Sequence, residues 1–191
     1  MLALALKNRD SIVIASDVDD PNSTDNYSEF NLIPNNKVIA ITGNIEAIKH
    51  PVQVAFSKFD PSLSAAAVAE LIQASLIVET VPNLAELKGR VELIVAGFNK
   101  LRHVMEPDIY YMDSAQDFFL KPAMSDAVGA GATAALTSLF AGHSFADSTA
   151  SQLSVLVKES YSATKLRWPS MVKNHIKLGV LTESGISVQA Y

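Results

Sequence analysis

The stretch Ala3–Asp17, ALALKNRDSIVIASD, opens the chain with two strand-like apolar runs around a polar turn. Leu2–Leu6 and Ile12–Ser16 are the runs, and Lys7-Asn8-Arg9-Asp10 is the turn, so a β-hairpin is expected. Asp19–Asn36 follows, rich in Asp, Asn, Ser and Pro, and reads as an excursion with one short strand at Phe30–Ile33. Lys37–Thr42 is a further strand ending in Gly43.

Helical spacing begins next. Ile45, Ile48, Val52, Ala55 and Phe56 recur at helix period, with His50-Pro51 expected to bend or limit the helix. A second helix runs over Leu63–Val78, capped by Ser62 or Ser64 and stopped at Pro82. Glu92–Phe98 reads as a buried strand, and Leu101–Met105, Ile109–Met112 and Phe118–Leu120 as shorter ones. Ala127–Ala130 is another strand, leading through Gly129 and Gly131 into a helix at Thr133–Phe140. Thr149-Ala150-Ser151-Gln152 is a capping box that opens the helix Leu153–Leu166. Two last strands, Ile176–Thr182 and Ile186–Gln189, are joined by Glu183-Ser184-Gly185. The order of strands, two helices, strands, two helices and strands suits an α+β fold of two packed sheets with helices on each outer side.

Composition bounds the rest. The 191 residues fit one domain, 1–191, which would bury roughly 70% of its unfolded surface. Hydrophobic residues are 49% and charged residues 18%, so either the core is thick or apolar surface meets other subunits. The net charge of -5, without a basic run, favours neither nucleic acid nor an anionic membrane as a partner. With no cysteine there is no disulfide, thiolate nucleophile or thiolate metal site, in keeping with a reducing compartment. Met1–Leu6 lacks the basic start of a signal peptide, and no uncharged run approaches the roughly 18 residues that span a bilayer. A cytoplasmic location is the default expectation.

Five segments in order carry a resemblance. Ala3–Asp17 resembles the opening hairpin of a proteasome β-type or HslV-like subunit, and Asn35–Ile48, NNKVIAITGNIEAI, resembles that family's strand, glycine and helix. VELIVAGFN at 91–99 is similar to its central strand, AVGAGATAAL at 127–136 to its Gly-x-Gly turn into the third helix, and IKLGVLTESGI at 176–186 to its C-terminal hairpin. The resemblance implies the four-layer αββα sandwich of the N-terminal-nucleophile (Ntn) hydrolases, in which a terminal Thr, Ser or Cys attacks with its own α-amine as base.

The residues that would do this chemistry are partly missing. The position of the catalytic threonine falls at Leu2, or at Met1 if the register slips by one, and neither side chain can attack a carbonyl. Self-processing at Ser11 or Ser16 would delete the first strand, so the mature chain is expected to begin at Met1 or Leu2. The family's lysine falls near Thr24, and there is no lysine between Lys7 and Lys37. Asp17 matches the companion aspartate and Gly43 the oxyanion glycine. The late Asp and Ser that support the amine fall near Pro169 and Val172, with Ser170 a substitute if the loop shifts. Leu2, Asp17, Gly43 and Ser170 are thus vestigial candidates rather than a catalytic set.

Plainer readings stand beside these. Asp17 also suits a turn carboxylate, and Gly43 and Gly129-Ala130-Gly131 suit tight turns, the latter without the spacing or following Lys of a phosphate loop. His50, His103, His143 and His175 have no metal spacing, and Asp19, Asp20 and Asp25 read as a solvated loop or a hard-cation cluster. Neither metal nor cofactor is expected. Trp168 is an interface anchor or a core residue. The leading expectation is a non-catalytic, proteasome-like subunit that forms a homo-oligomeric ring or stacked rings. An ATPase or another proteasome-like component is a possible partner, and Ile45–Phe56 and Leu63–Val78 are the contact helices. The alternatives are a threonine/serine-type Ntn peptidase or amidase with an atypical active site, and a small-ligand binder using the vacant cleft.

Overall fold

The structure, a computed structural model, describes residues 1–22, 28–80, 89–101, 104–123, 125–129, 132, 135 and 145–191. The first hairpin is β1 (Leu2–Lys7) and β2 (Ser11–Val18), and its turn is closed by Asn8, whose Oδ1 accepts from the N–H groups of Asp10 and Ser11. β3 (Phe30–Ile33) and β4 (Lys37–Gly43) form a second hairpin, followed by α1 (Ile45–Phe56) and α2 (Ala65–Thr80). Then come β5 (Val91–Leu101), β6 (Val104–Asp113), β7 (Lys121–Ala123) and β8 (Ser125–Gly129). The described chain closes with α3 (Ala150–Arg167), β9 (His175–Thr182) and β10 (Gly185–Ala190).

The strands form two five-stranded antiparallel sheets, ordered β10-β9-β2-β1-β8 and β3-β4-β5-β6-β7. Alternation along β1 shows how they are buried. Ala3 and Ala5 pack with Ile12 and Ile14 against Val38, Ala40, Ile94 and Ala96 of the second sheet, whereas Leu2, Leu4 and Leu6 pack with Leu153 and Val157 of α3. Ile39, Ile41, Leu93 and Val95, on the outer face of the second sheet, meet Ile48, Val52, Ile72 and Leu76 of α1 and α2. Central strands buried on both faces must be apolar at successive positions, which accounts for the unbroken LALAL and SIVIA runs.

Several expected boundaries shift. Pro51 lies inside α1 without ending it; its missing N–H forgoes one helical bond, while Ile48, Val52 and Ala55 hold the helix on the sheet. Ser64, not Ser62, caps α2, its Oγ accepting from the N–H of Ala67 at 3.1 Å. Leu101–Met105 and Ile109–Met112 are not separate strands: β5 reaches Leu101 and β6 runs unbroken through Pro107-Asp108. Pro107 is tolerated because, among the described residues, β7 pairs with Ile109–Tyr111 and leaves that part of β6 as an edge. Phe118–Leu120 is not a strand either. Asp117 and Phe118 take left-handed backbone conformations after the 3-10 turn Ser114–Gln116, and these drop Phe118 into the helix-side core. The Thr149/Gln152 capping box is present as expected. The helix at 133–140 apart from Ala135, the residues Thr24, Asp25, His103 and His143, and the Ala130-Gly131 pair lie outside the described residues.

Among the described residues no helix is long and apolar enough to cross a membrane.

Candidate functional site

Asp17 lies near the end of β2 and faces α3, with its side chain fully buried. Its Oδ1 accepts the backbone N–H of Leu2 at 2.7 Å, and its Oδ2 accepts the N–H of Lys173 at 2.8 Å. The Met1 ammonium stands 3.8 Å from Oδ2 and donates to the carbonyl of Met171 at 2.6 Å. One carboxylate therefore gathers the first strand, its amine and the loop after α3. Burial pushes the Asp17 carboxyl above its ordinary value, against the opposing pull of the two N–H bonds and the nearby ammonium groups.

The loop is held from the helix. Lys165 Nζ donates to the carbonyls of Val172 and Lys173 at 2.6 and 2.9 Å and to Asn174 Oδ1 at 2.9 Å. Tyr161 donates to the Lys173 carbonyl, and burial together with the Asp17 charge pushes its phenol up to about 12. The Lys173 ammonium pairs with Asp19 at 2.7 Å and with Glu29. Burial lowers Lys173, but these two carboxylates outweigh it and hold the ammonium above its ordinary value.

These groups border an open cleft of about 470 Å³ whose lining includes Met1, Asp19, Ser170, Lys173 and His175. Of the residues the sequence singled out, Leu2 and Asp17 are joined directly, and Ser170 and Met1 line the same cleft, the Met1 amine bonding to the Met171 carbonyl. Pro169 and Val172 border it too. Gly43 does not line it. Gly43 ends β4 with φ +91° against the Arg90 carbonyl, where an added Cβ would lie 1.9 Å from the oxygen. Lys7 bonds to Asp108 at 2.7 Å, which marks the far end of β1, and Lys37 sits at the end of β4 opposite Gly43, bonded to the carbonyls of Pro34 and Asn35. Neither lysine serves the Asp17 end.

Lys173 is the site residue the sequence did not show. It lies 156 residues from Asp17, and only the pairing of β9 with β2 brings the two together. His175 lines the cleft and His50 is exposed on α1, and among the described residues no group of His, Asp and Glu is arranged to hold a metal ion. Asp19 pairs with Lys173, and Asp20 accepts from the N–H of Asn22. Trp168 forms the C-cap of α3 with the Arg167 guanidinium 4.6 Å above its ring, half-buried rather than core.

A second polar cluster lies where β5 starts and β6 ends. Arg90 holds the fully buried Asp113 through Nε at 3.0 Å and Nη2 at 2.5 Å, and reaches Glu92 at 3.1 Å, while the Tyr111 hydroxyl donates to Asp113 at 2.9 Å. Burial raises Asp113, but its bonds to Arg90, Ala115 and Tyr111 outweigh it and hold the carboxyl below its ordinary value. Since the Arg90 carbonyl abuts Gly43 and accepts from the Asn44 N–H at 3.4 Å, this cluster fixes the turn between β4 and α1.

Chemically, the Asp17 end offers an amine, a buried carboxylate and a lysine ammonium, but residues 1 and 2 bring only a thioether and an alkyl group. No protein-family model and no curated protein shows a match to this chain.

Proposed function

We propose that the chain is a proteasome-like subunit of the Ntn-hydrolase fold that does not catalyse hydrolysis and acts as a ring-forming structural or interaction protein. One observation carries this reading. The buried Asp17 receives the Leu2 N–H and sits beside the Met1 amine, as a supporting aspartate would, while residues 1 and 2 carry no hydroxyl or thiol to activate. The succession of clusters between α1/α2, the two sheets and α3 supports an αββα sandwich. Native mass spectrometry tests the assembly: closed multiples of the 20.5 kDa chain are expected, and a monomer at micromolar concentration would count against it.

A second reading, an Ntn peptidase or amidase with an atypical site, draws on the same cleft. The amine, Asp17 and Lys173 converge there, and Ser170 supplies a hydroxyl on its wall.

A further inference from the structure

The described residues leave four outer strands: β8 and β10 in the first sheet, β3 and β7 in the second. An outer strand presents unpaired N–H and C=O groups, and proteins normally blunt it with brevity, charge or proline. β3 has four residues, three of them buried. β7 has three, including Lys121 and Pro122, and β8 carries Asp126. β10, GISVQA, has none of these features: it is six residues long, without charge or proline, and exposed from Ser187 to its end.

The pairing pattern tells which groups are free. Tyr191 and Ile176 exchange both backbone bonds at 3.0 Å, so in an antiparallel ladder Ser187 and Gln189 also turn their N–H and C=O toward β9. Ile186, Val188 and Ala190 therefore aim theirs outward. The same three side chains face the second sheet: Ile186 packs on the inter-sheet core, and Val188 pairs with Gly179, which meets the Phe30 ring. Val188 is nevertheless 39% exposed, and Leu32 of β3, on the neighbouring edge and facing the same space, is 56% exposed. On the other face, Tyr191 lies under the Lys158 ammonium, 3.8 Å from its ring centre.

We propose that β10 pairs antiparallel with β10 of a second copy of this chain, across a two-fold axis through Val188. The strand is self-complementary in that register. Val188 meets Val188 and Ile186 meets Ala190 as hydrogen-bonded pairs, and both apolar rows stay on the inner face, so the inter-sheet core continues across the junction. The chain carries a net charge of -5, which opposes self-association at long range, whereas this strand brings no ionisable side chain to the contact. The two five-stranded sheets then become one of ten strands. This isologous contact goes beyond the ring reading and does not depend on it, because a head-to-tail ring uses two different surfaces.

The chain has no cysteine, so Val188→Cys places one thiol on the axis, at a Cα separation of about 5.5 Å for such a pair and within disulfide reach. Under mild oxidation Val188→Cys should give a covalent dimer, and Val155→Cys, exposed on α3, should not. Val188→Lys and Val188→Pro, which leave the bonds to β9 intact, should halve the particle mass in light scattering with an unchanged circular dichroism spectrum. The proposal is overturned if Val188→Lys and Val188→Pro keep the wild-type mass, or if the wild type is monomeric and Val188→Cys does not cross-link to itself, the result expected if another chain occupies the edge.

Discussion

The backbone N–H of Lys173 donates to Oδ2 of Asp17 at 2.8 Å, and the other oxygen of the same buried carboxylate holds the N–H of Leu2. Asp17 thereby joins the loop after α3 to the first strand. Asp17→Ala leaves the buried Leu2 N–H and the part-buried Lys173 N–H without their acceptor and removes the ion pair with the Met1 ammonium, which keeps its bond to the Met171 carbonyl, at a cost of roughly 3 kcal/mol. Chemical denaturation should show this loss as a lower midpoint with the slope unchanged.

The same residue sets a pH dependence. Because folding raises the Asp17 carboxyl above its ordinary 3.8, its ionised form is disfavoured in the native state. The proton-linked part of its contribution, which adds to the two N–H bonds, is full below 3.8 and lost as pH rises through the raised native value. Relative to Asp17→Asn, which does not titrate, the wild type should gain stability as pH falls through that window. A stability difference that stays flat, or that shrinks on acidification, would mean the carboxyl is not raised.

Gly43 and Gly185 form a matched pair of controls. Gly43 has φ +91° and no room for a Cβ beside the Arg90 carbonyl, so Gly43→Ala should cost about 3 kcal/mol and loosen the turn into α1. Gly185 has nothing within 4 Å of an added Cβ, and Gly185→Ala should change stability by no more than about 1 kcal/mol. Thermal melts of the two variants decide it.

Leu76 separates core from interface. It is fully buried among Ile72, Val52 and Leu93, so Leu76→Glu should unfold the subunit rather than dissociate an assembly. Val78, 69% exposed on the same helix, is the position where a charge should leave the fold intact and lower the assembly state if α2 meets another subunit. Circular dichroism read beside light scattering distinguishes the two effects.

The hairpins and the long helices were legible because period and turn chemistry agree there. The Asn8 turn, the Phe30–Ile33 strand and the Thr149/Gln152 box each depend on neighbouring residues. β6 was not legible, since whether Pro107 interrupts a strand depends on how far β7 extends beside it. Phe118 was missed for a related reason, its left-handed backbone being set by the turn it completes rather than by its own propensity. At the site, Asp17 could be picked out through the resemblance to the family's companion aspartate, but Lys173 could not, because nothing local marks a residue whose partners lie 156, 154 and 144 positions away. The apolar composition had two explanations, and three hydrophobic clusters with both faces of the central strands buried account for much of it inside the subunit.

The most direct test of the non-catalytic reading is hydrolysis of a fluorogenic peptide series by the purified protein and its Asp17→Ala variant, with an electrophile directed at N-terminal threonine as a probe of the same site. With no nucleophilic oxygen or thiol at residues 1 and 2, both proteins should release fluorophore at the background rate, and the electrophile should leave the intact mass unchanged. Turnover by the wild type that disappears in Asp17→Ala would contradict the account and establish the second reading.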